Sequence, residues 1–501
     1  MSVSRPPNVV VVLLDSLNRH MLGSYGSTEF ETPNLDRFAR RALRFERHYT
    51  GSLPCMPARH DLLCGALDFL WKPWGSIELW ERPITALLRR AGVTTKLVTD
   101  HPHLFEAGGE NYHVDFTAWD YQRGHESDPW RTRPDPSGVG APSFGRGHMQ
   151  YESSRAWFRG EDDFPGPRTM AAAAGWLDEE APGVGEERFL LLVDEFDPHE
   201  PFDTPEPYAS MYDPRWQGPH LIWPPYSAGG GALGPDEARQ VRAQYGGKLT
   251  MIDTWFGRVL DALDRADRWD DTAVIVMTDH GHYLGEKDIW GKPAVPVYEP
   301  LGHVPLLIAW PGVEPGVRQA LTSTVDLFAT IADVFEVDAG HRTHGRSLLP
   351  LVGDPAATVR EWALGGVWGR EVHVVDGGRK YARAPTGDNA PLSLWSNRWS
   401  TMPIGRAPDL RLPDPDDRAW LDRMPGSEIP VIRQPFQAGD RMPYWALAPF
   451  SGSHAYDVAE DPGEEHNLVG TASEEELTDL LRAALDEVEA PRDHLERLGL
   501  G

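Results

Sequence analysis

The chain is 501 residues long, enough for two domains or for one large α/β domain with an appendage. Hydrophobic residues make up 40% and charged residues 25%, which describes a globular protein with room for a large core. A formal net charge of −28 argues against nucleic acid or an anionic membrane surface as partner, and two cysteines, Cys55 and Cys64, cannot build a disulfide framework.

Met1 to Pro7 is short and polar, and no apolar run approaches the ~20 residues of a membrane span. The expected location is therefore cytoplasmic, with no membrane partner. Val9 to Leu14 is a continuous β-branched and apolar run, the pattern of a parallel strand buried on both faces, and it ends at Asp15. Thr32-Pro33 opens a helix, with Thr32 as N-cap and Leu35, Phe38, Ala39 and Ala42 along one face. A loop around Cys55 follows, and His60 to Leu63 starts another helix.

Ile84 to Ala91 is a short helix stopped by Gly92. Thr94 to Thr99 reads as a second strand, running into Asp100-His101-Pro102-His103. Residues 106 to about 167 are rich in Gly, Pro, Trp and charge, and read as a long excursion over the surface. Phe189 to Phe196 is a third strand, closing at Asp197-Pro198-His199. Gln240 to Asp264 is helical by pattern despite Gly246 and Gly247, and Thr272 to Thr278 is a fourth strand ending at Asp279-His280-Gly281. Pro305 to Trp310 is a fifth, and Val325 to Val334 a helix. Strands alternating with helices give an α/β fold, a large mostly parallel sheet sandwiched by helices.

The character changes after Leu364. Val372 to Asp376 and Lys380-Tyr381 form an antiparallel meander about Gly377-Gly378, and 384–449 shows no period. The C-terminal helix has Ser473 and Glu476 as a capping box, with Leu477, Leu480, Leu481, Ala484, Leu485 and Val488 along one face. The expected division is a catalytic α/β domain at 1–364 and a smaller α+β subdomain, with an antiparallel sheet, at 365–501.

Asp15, His101, His199 and Asp279-His280 each lie at or just beyond the end of a predicted buried strand. In an open α/β sheet those ends converge on one edge, where ligands bind. Asp15, Asp279 and His280 are a credible ligand set for a divalent cation. A strand-end Asp also serves as a turn former and a lone His as a structural group, so the force of the reading lies in their convergence.

Cys55-x-Pro57-x-Arg59, followed by Leu62-Leu63-Cys64-Gly65, resembles the signature of the type I sulfatases of the alkaline phosphatase superfamily. Leu13-Leu14-Asp15 with Gly23-Ser24-Tyr25-Gly26, Thr32-Pro33-Asn34-Leu35-Asp36, Pro198-His199-x-Pro201-Phe202, Thr278-Asp279-His280-Gly281 and Trp290-Gly291-Lys292 are similar to further family segments, in family order. Tyr456-Asp457, Asp461-Pro462 and Asn467-Leu468 resemble its C-terminal motif. The resemblance implies an alkaline phosphatase-like fold and hydrolysis of an organic sulfate ester, aryl or carbohydrate. It also implies that a maturation enzyme converts Cys55 to formylglycine.

In that reading the hydrate of residue 55 attacks sulfur and His199 donates a proton to the leaving alcohol. Arg59, Lys292 and a cation held by Asp15, Asp279, His280 and residue 55 bind the anionic oxygens. His101 either polarises the nucleophile or binds the substrate anion. His103 and Arg123 are expected to contact substrate, though Arg123 could equally belong to a capped surface turn. Calcium is the expected cation, with manganese and zinc as alternatives. Ser16 stands where the family usually has a second aspartate, a feature shared with phosphonate monoester hydrolases. Phosphonate monoester or phosphodiester hydrolysis is therefore the alternative, and a non-catalytic protein binding sulfated glycans is a third reading.

Overall fold

A computed structural model describes residues 4–133, 135, 149–183, 187–229, 231–292, 296–400, 414–446 and 450–501. Parts of the expected excursion at 106–167 and of the unassigned stretch at 384–449 lie outside these residues.

The first strands are β1 (Asn8–Leu14), β2 (Leu43–Tyr49), β3 (Thr94–Thr99), β4 (Ala118–Tyr121) and β5 (Phe189–Glu195). After β6 (Ser227–Ala228) come β7 (Thr272–Met277), β8 (Tyr283–Leu284), β9 (Ile289–Gly291), β10 (Leu306–Ala309) and β11 (Gly316–Ser323). Eight of these form one sheet in the order β11-β2-β10-β7-β1-β5-β3-β4, while β6, β9 and β8 make a small ribbon. β1 pairs in parallel with both β5 and β7, and β3 in parallel with β5 and β4. Within the eight-stranded sheet β10 alone runs against its neighbours, antiparallel to β7 and to β2.

Alternation along β1 divides the core. Val9, Val11 and Leu13 face a cluster with the helices Cys55–Cys64, Ile84–Arg90 and Asp326–Phe335. Val10, Val12 and Leu14 face the helices Pro33–Ala39, Pro165–Glu179 and Pro235–Arg265. A strand covered on both faces needs apolar residues at every position, which is the continuous run seen in the sequence.

Several local expectations need correction. The helix expected from His60 begins at Cys55, so the loop reading stops one residue short of the cysteine. Thr32 is the N-cap of its helix, but its hydroxyl does not cap. The Asp253 carboxylate takes the free N–H groups of Asn34 and Leu35 instead, at 3.0 and 2.7 Å. The Ser473–Glu476 capping box does not form. Thr471 takes the N-cap position of helix Ala472–Glu487 without a side-chain cap bond, its hydroxyl donating instead to the Leu468 carbonyl, and Glu476 inside the helix pairs with Arg379 at 2.6 Å. The glycines in helix Pro235–Arg265 have a packing reason, since a Cβ at Gly246 would lie 2.3 Å from the Phe30 ring and one at Gly247 2.3 Å from the Tyr208 carbonyl.

Further on, β12 (Ala363–Gly366), β13 (Val372–Val375), β14 (Arg379–Arg383) and β18 (His454–Asp457) make an antiparallel sheet. β15 (Leu392–Ser396), β16 (Trp420–Arg423) and β17 (Pro430–Phe436) make a second antiparallel sheet, where the sequence showed no period. Leu477, Leu481, Ala484 and Leu485 of the C-terminal helix are buried against Val372, Val374 and Tyr381. Among the described residues, no helix is long and apolar enough to cross a membrane.

Candidate active site

The sheet order explains where the chemistry meets. β7, β1, β5 and β3 are consecutive neighbours, so the residues leaving their carboxyl ends share one edge. Cys55 joins them from the first position of a fully buried helix, whose N-terminal N–H groups and dipole point at the same place.

Cys55 Sγ lies 3.2 Å from His280 Nε2, 3.7 Å from Lys292 Nζ and 4.0 Å from Asp15 Oδ1. Ligand atoms of Asp15, Cys55, Asp279 and His280 all fall within 4.8 Å of one another. His280 Nδ1 is 2.8 Å from the Gly281 carbonyl, which can only accept, so Nδ1 carries the proton and Nε2 turns its lone pair to Cys55. Burial lowers the His280 pKa, which keeps that lone pair free. Burial, then the Asp15 charge, raises the Cys55 thiol well above its ordinary value, so an unmodified cysteine here is a protonated thiol rather than a thiolate.

Ser16, in the position of the missing aspartate, has a left-handed backbone (φ 62°). Its hydroxyl donates to Asp15 Oδ1 at 2.8 Å and accepts from Lys292 at 3.2 Å, while its N–H donates to Asp279 Oδ1 at 3.1 Å. It therefore links both carboxylates to the lysine without adding charge. Burial opposes the Lys292 charge, but the Glu200, Asp15 and Asp279 carboxylates hold it protonated.

Arg59 lies beneath the cluster, 1% exposed. It donates through Nε and Nη2 to Asp194, at 2.9 and 2.7 Å, and through Nη1 to Asp279 Oδ2 at 2.8 Å and to the Cys55 carbonyl at 3.1 Å. Nη1 is also 3.0 Å from Asp15 Oδ2. Burial works against ionising Asp15, but Arg59 and the nearby cationic groups hold it far below the usual carboxylate range.

Four imidazoles surround Phe196, His103 the most distant at 6.1 Å. His199 stacks on it at 4.1 Å, and His101 and His125 meet it edge-on at 4.5 and 4.7 Å. His199 Nδ1 donates to the Glu200 carbonyl at 2.6 Å, with the Glu200 carboxylate 3.5 Å away. Burial lowers the His199 pKa to about 4. His101 Nε2 is 3.6 Å from Asp15 Oδ2, and neither of its ring nitrogens has a hydrogen-bond partner. His103 is held between Glu106 and Glu126, whose carboxylates outweigh burial and raise its pKa to about 9. Arg123 donates to both oxygens of Asp128 and lies over the Tyr121 ring, so its fork faces Asp128.

The structure thus brings Asp15, Cys55, Arg59, His101, Asp279, His280 and Lys292 together around one point. His199 adjoins them through Phe196, on which it stacks while His101 meets the same ring edge-on. Sequence reading missed Asp194, Ser16 as a linker, Glu200 and Phe196. A signal for Asp194 exists, because an acid inside the apolar run Phe189–Glu195 needs a buried cation. Next to His280 and Lys292 lies a small cavity of about 30 Å³, walled by Val297, Leu301, Val367 and Trp445, with Arg370 and Glu371.

Residues 7–337 match the family model described as Sulfatase. The chain belongs to the sulfatase family. A choline-sulfatase of Rhizobium meliloti (strain 1021) is 27% identical over 405 residues, covering 75% of this chain and 78% of that protein. An arylsulfatase of Clostridium perfringens is 24% identical, over 72% of this chain and 81% of the relative. In structure, the sulfatase chain is similar to the phosphonate monoester hydrolase of Agrobacterium radiobacter, with a TM-score of 0.64 at 18% identity, covering 97% and 96% of the two chains. That likeness shows a shared fold.

Proposed function

We propose that this sulfatase hydrolyses an organic sulfate ester, an aryl or carbohydrate sulfate, with residue 55 as nucleophile after conversion of Cys55 to formylglycine by a maturation enzyme. The observation that carries the reading is the seating of Cys55 at a buried helix N-terminus, within 4.0 Å of His280, Lys292 and Asp15. The protonated thiol is a poor nucleophile there, whereas an aldehyde hydrate offers one hydroxyl for attack and a second for expelling sulfate.

The donor set fits a divalent cation. Asp15 Oδ2 is buried with no hydrogen bond beyond its ion pair to Arg59 at 3.0 Å, and His280 presents a lone pair beside two carboxylates. Asp15, Asp279, His280 and residue 55 would hold the ion, which supplies Lewis acidity at the nucleophile. Oxygen donors favour calcium, and the imidazole makes manganese or zinc an alternative.

The remaining work falls to side chains. Lys292 holds an anionic ester oxygen. Arg59 fixes Asp15, Asp279 and the Cys55 carbonyl from below, which keeps the nucleophile aimed. His199 Nε2 delivers a proton to the departing alcohol, with Glu200 beside the imidazolium that forms; an anionic ester next to the ring favours that protonated form. His101 lies on the Asp15 side, to polarise the nucleophile or bind the ester anion, and His103 and Arg123 are substrate-contact candidates. Val297, Leu301 and Trp445 give the flank beside Lys292 an apolar wall.

Ser16 favours one second reading, hydrolysis of a phosphonate monoester or phosphodiester in the same cradle. Turnover of 4-nitrophenyl sulfate and bis(4-nitrophenyl) phosphate by the same matured, metal-loaded protein separates the two. A higher kcat/KM for the sulfate supports sulfate ester hydrolysis, and the reverse order replaces it. A cytoplasmic location belongs to the same proposal. Cys64 is a buried free thiol, a state that a reducing compartment preserves.

A further inference from the structure

The helix that begins at Cys55 ends in a second buried cluster. His60 and Cys64 are four residues apart and share a face. Asp68 follows in the turn Asp68–Leu70, and Glu81 comes from the segment beyond it. The ligand atoms of His60, Cys64 and Glu81 lie within 4.8 Å of one another, and His60 Nε2 is 2.8 Å from Glu81 Oε1 and 2.9 Å from Asp68 Oδ2. The four side chains are buried.

Hydrogen bonding does not account for this gathering. Both ring nitrogens of His60, both oxygens of Asp68 and Glu81 Oε1 are buried without a hydrogen-bond partner. Glu81 Oε2 is used elsewhere, accepting the Glu78 N–H at 2.6 Å and Lys72 Nζ at 3.4 Å. Ion pairs hold three of these atoms, His60 Nε2 with Glu81 Oε1 and Asp68 Oδ2, the last also 3.3 Å from Lys72 Nζ. His60 Nδ1 and Asp68 Oδ1 are left buried with neither a hydrogen bond nor an ion pair, a costly state in a dry interior.

We propose that His60, Cys64, Glu81 and Asp68 form a second metal site, structural rather than catalytic, that takes a zinc-class divalent cation. Imidazole, thiolate and carboxylate together match zinc better than calcium or magnesium, and four protein donors make a closed site. Charge is conserved on loading. Without metal, Lys72 and an imidazolium at His60 balance Asp68 and Glu81. With metal, the imidazolium proton and the Cys64 thiol proton leave for solvent, and the ion's two charges replace the one lost from His60 and the one gained at Cys64. The thiol needs that help, since burial holds its pKa up at about 11.

The site lies at the opposite end of the ten-residue helix from Cys55, roughly 13 Å along its axis. A cation there ties the helix to the segment carrying Asp68 and Glu81, and so fixes the element that aims the nucleophile. It is separate from the catalytic donors Asp15, Asp279 and His280 and does not depend on the sulfate reading.

The test uses full-length Cys55→Ser protein, in which Cys64 is the remaining thiol and the proposed site is unaltered. Loaded with Co²⁺, this protein is expected to show a thiolate-to-cobalt absorption band in the near ultraviolet, and the band is expected to vanish on further change of Cys64→Ser. Zinc-loaded wild-type protein, dialysed and measured by elemental analysis, is expected to hold one more metal ion per chain than Glu81→Gln. Asp279→Asn is expected to lose the other ion and keep the first. A Cys55→Ser protein that gives no thiolate band with cobalt overturns the proposal without any variant of the site itself. So does a metal content that Glu81→Gln leaves unchanged.

Discussion

Arg59 and Asp194 form a two-pronged pair beneath the nucleophile, Nε to Oδ2 at 2.9 Å and Nη2 to Oδ1 at 2.7 Å, with both side chains about 2% exposed. Asp194 lies in β5 and Arg59 one helical turn beyond Cys55, so the pair pins the nucleophile's helix to the centre of the sheet. Removing one partner leaves a buried charge uncompensated. Asp194→Ala should therefore cost about 3–5 kcal/mol in urea unfolding, and Asp194→Asn, which keeps an acceptor, clearly less. Equal midpoints for the alanine variant and wild type would show that Arg59 needs no such anchor.

His199 is predicted to act on the leaving group. Its removal should matter most where the departing alcohol is a strong base. His199→Asn should lower kcat for an alkyl or sugar sulfate by about 10²–10⁴ and for 4-nitrophenyl sulfate far less. Equal losses on both substrates would assign His199 to binding rather than proton transfer.

Metal retention should follow the carboxylates. Asp279→Asn removes a charge from the donor set and leaves Arg59 with one fewer acceptor, so both the catalytic ion and turnover should be lost. Elemental analysis alongside activity checks this, and EDTA treatment of the native enzyme should abolish turnover until a divalent cation is restored. Full activity after verified metal removal would contradict the assignment.

Asp61 gives a pH dependence of known sign. It accepts the Ser52 N–H at 2.7 Å and pairs with the Ser52 hydroxyl at 2.6 Å, yet burial raises its pKa to about 8. The folded state therefore binds this proton more tightly than the unfolded chain, whose carboxyl titrates near 3.9. The associated stability is complete below about pH 4 and is lost as pH rises through about 8. Asp61→Asn should flatten that decline in urea midpoints measured across this range. A variant with the wild-type slope would show that another group carries it.

The fold was legible where residues stood in one simple environment. Apolar runs marked β1, β5 and β7, β-branched residues marked β3, and the polar residues at their ends marked the site. β2 was missed because its sequence, Leu-Arg-Phe-Glu-Arg-His-Tyr, alternates near the edge of the sheet and carries five charged or titratable groups. The reversal of β10 was not readable, since strand direction depends on the connection rather than on composition. Asp253 capping the helix at Pro33 across 220 residues of chain was likewise invisible to a local reading, which favoured Thr32 because it was next in sequence. Ser16 showed as a missing charge. Its role as a link between Asp15 and Lys292 needed the left-handed turn that the structure supplies.

The measurement that bears most directly on the account is mass spectrometry of the tryptic peptide His48–Arg59, from protein made in its native host or with a formylglycine-generating enzyme. An aldehyde at position 55 is predicted, together with turnover that Cys55→Ala abolishes. A free thiol at that position in active native protein would contradict the formylglycine nucleophile.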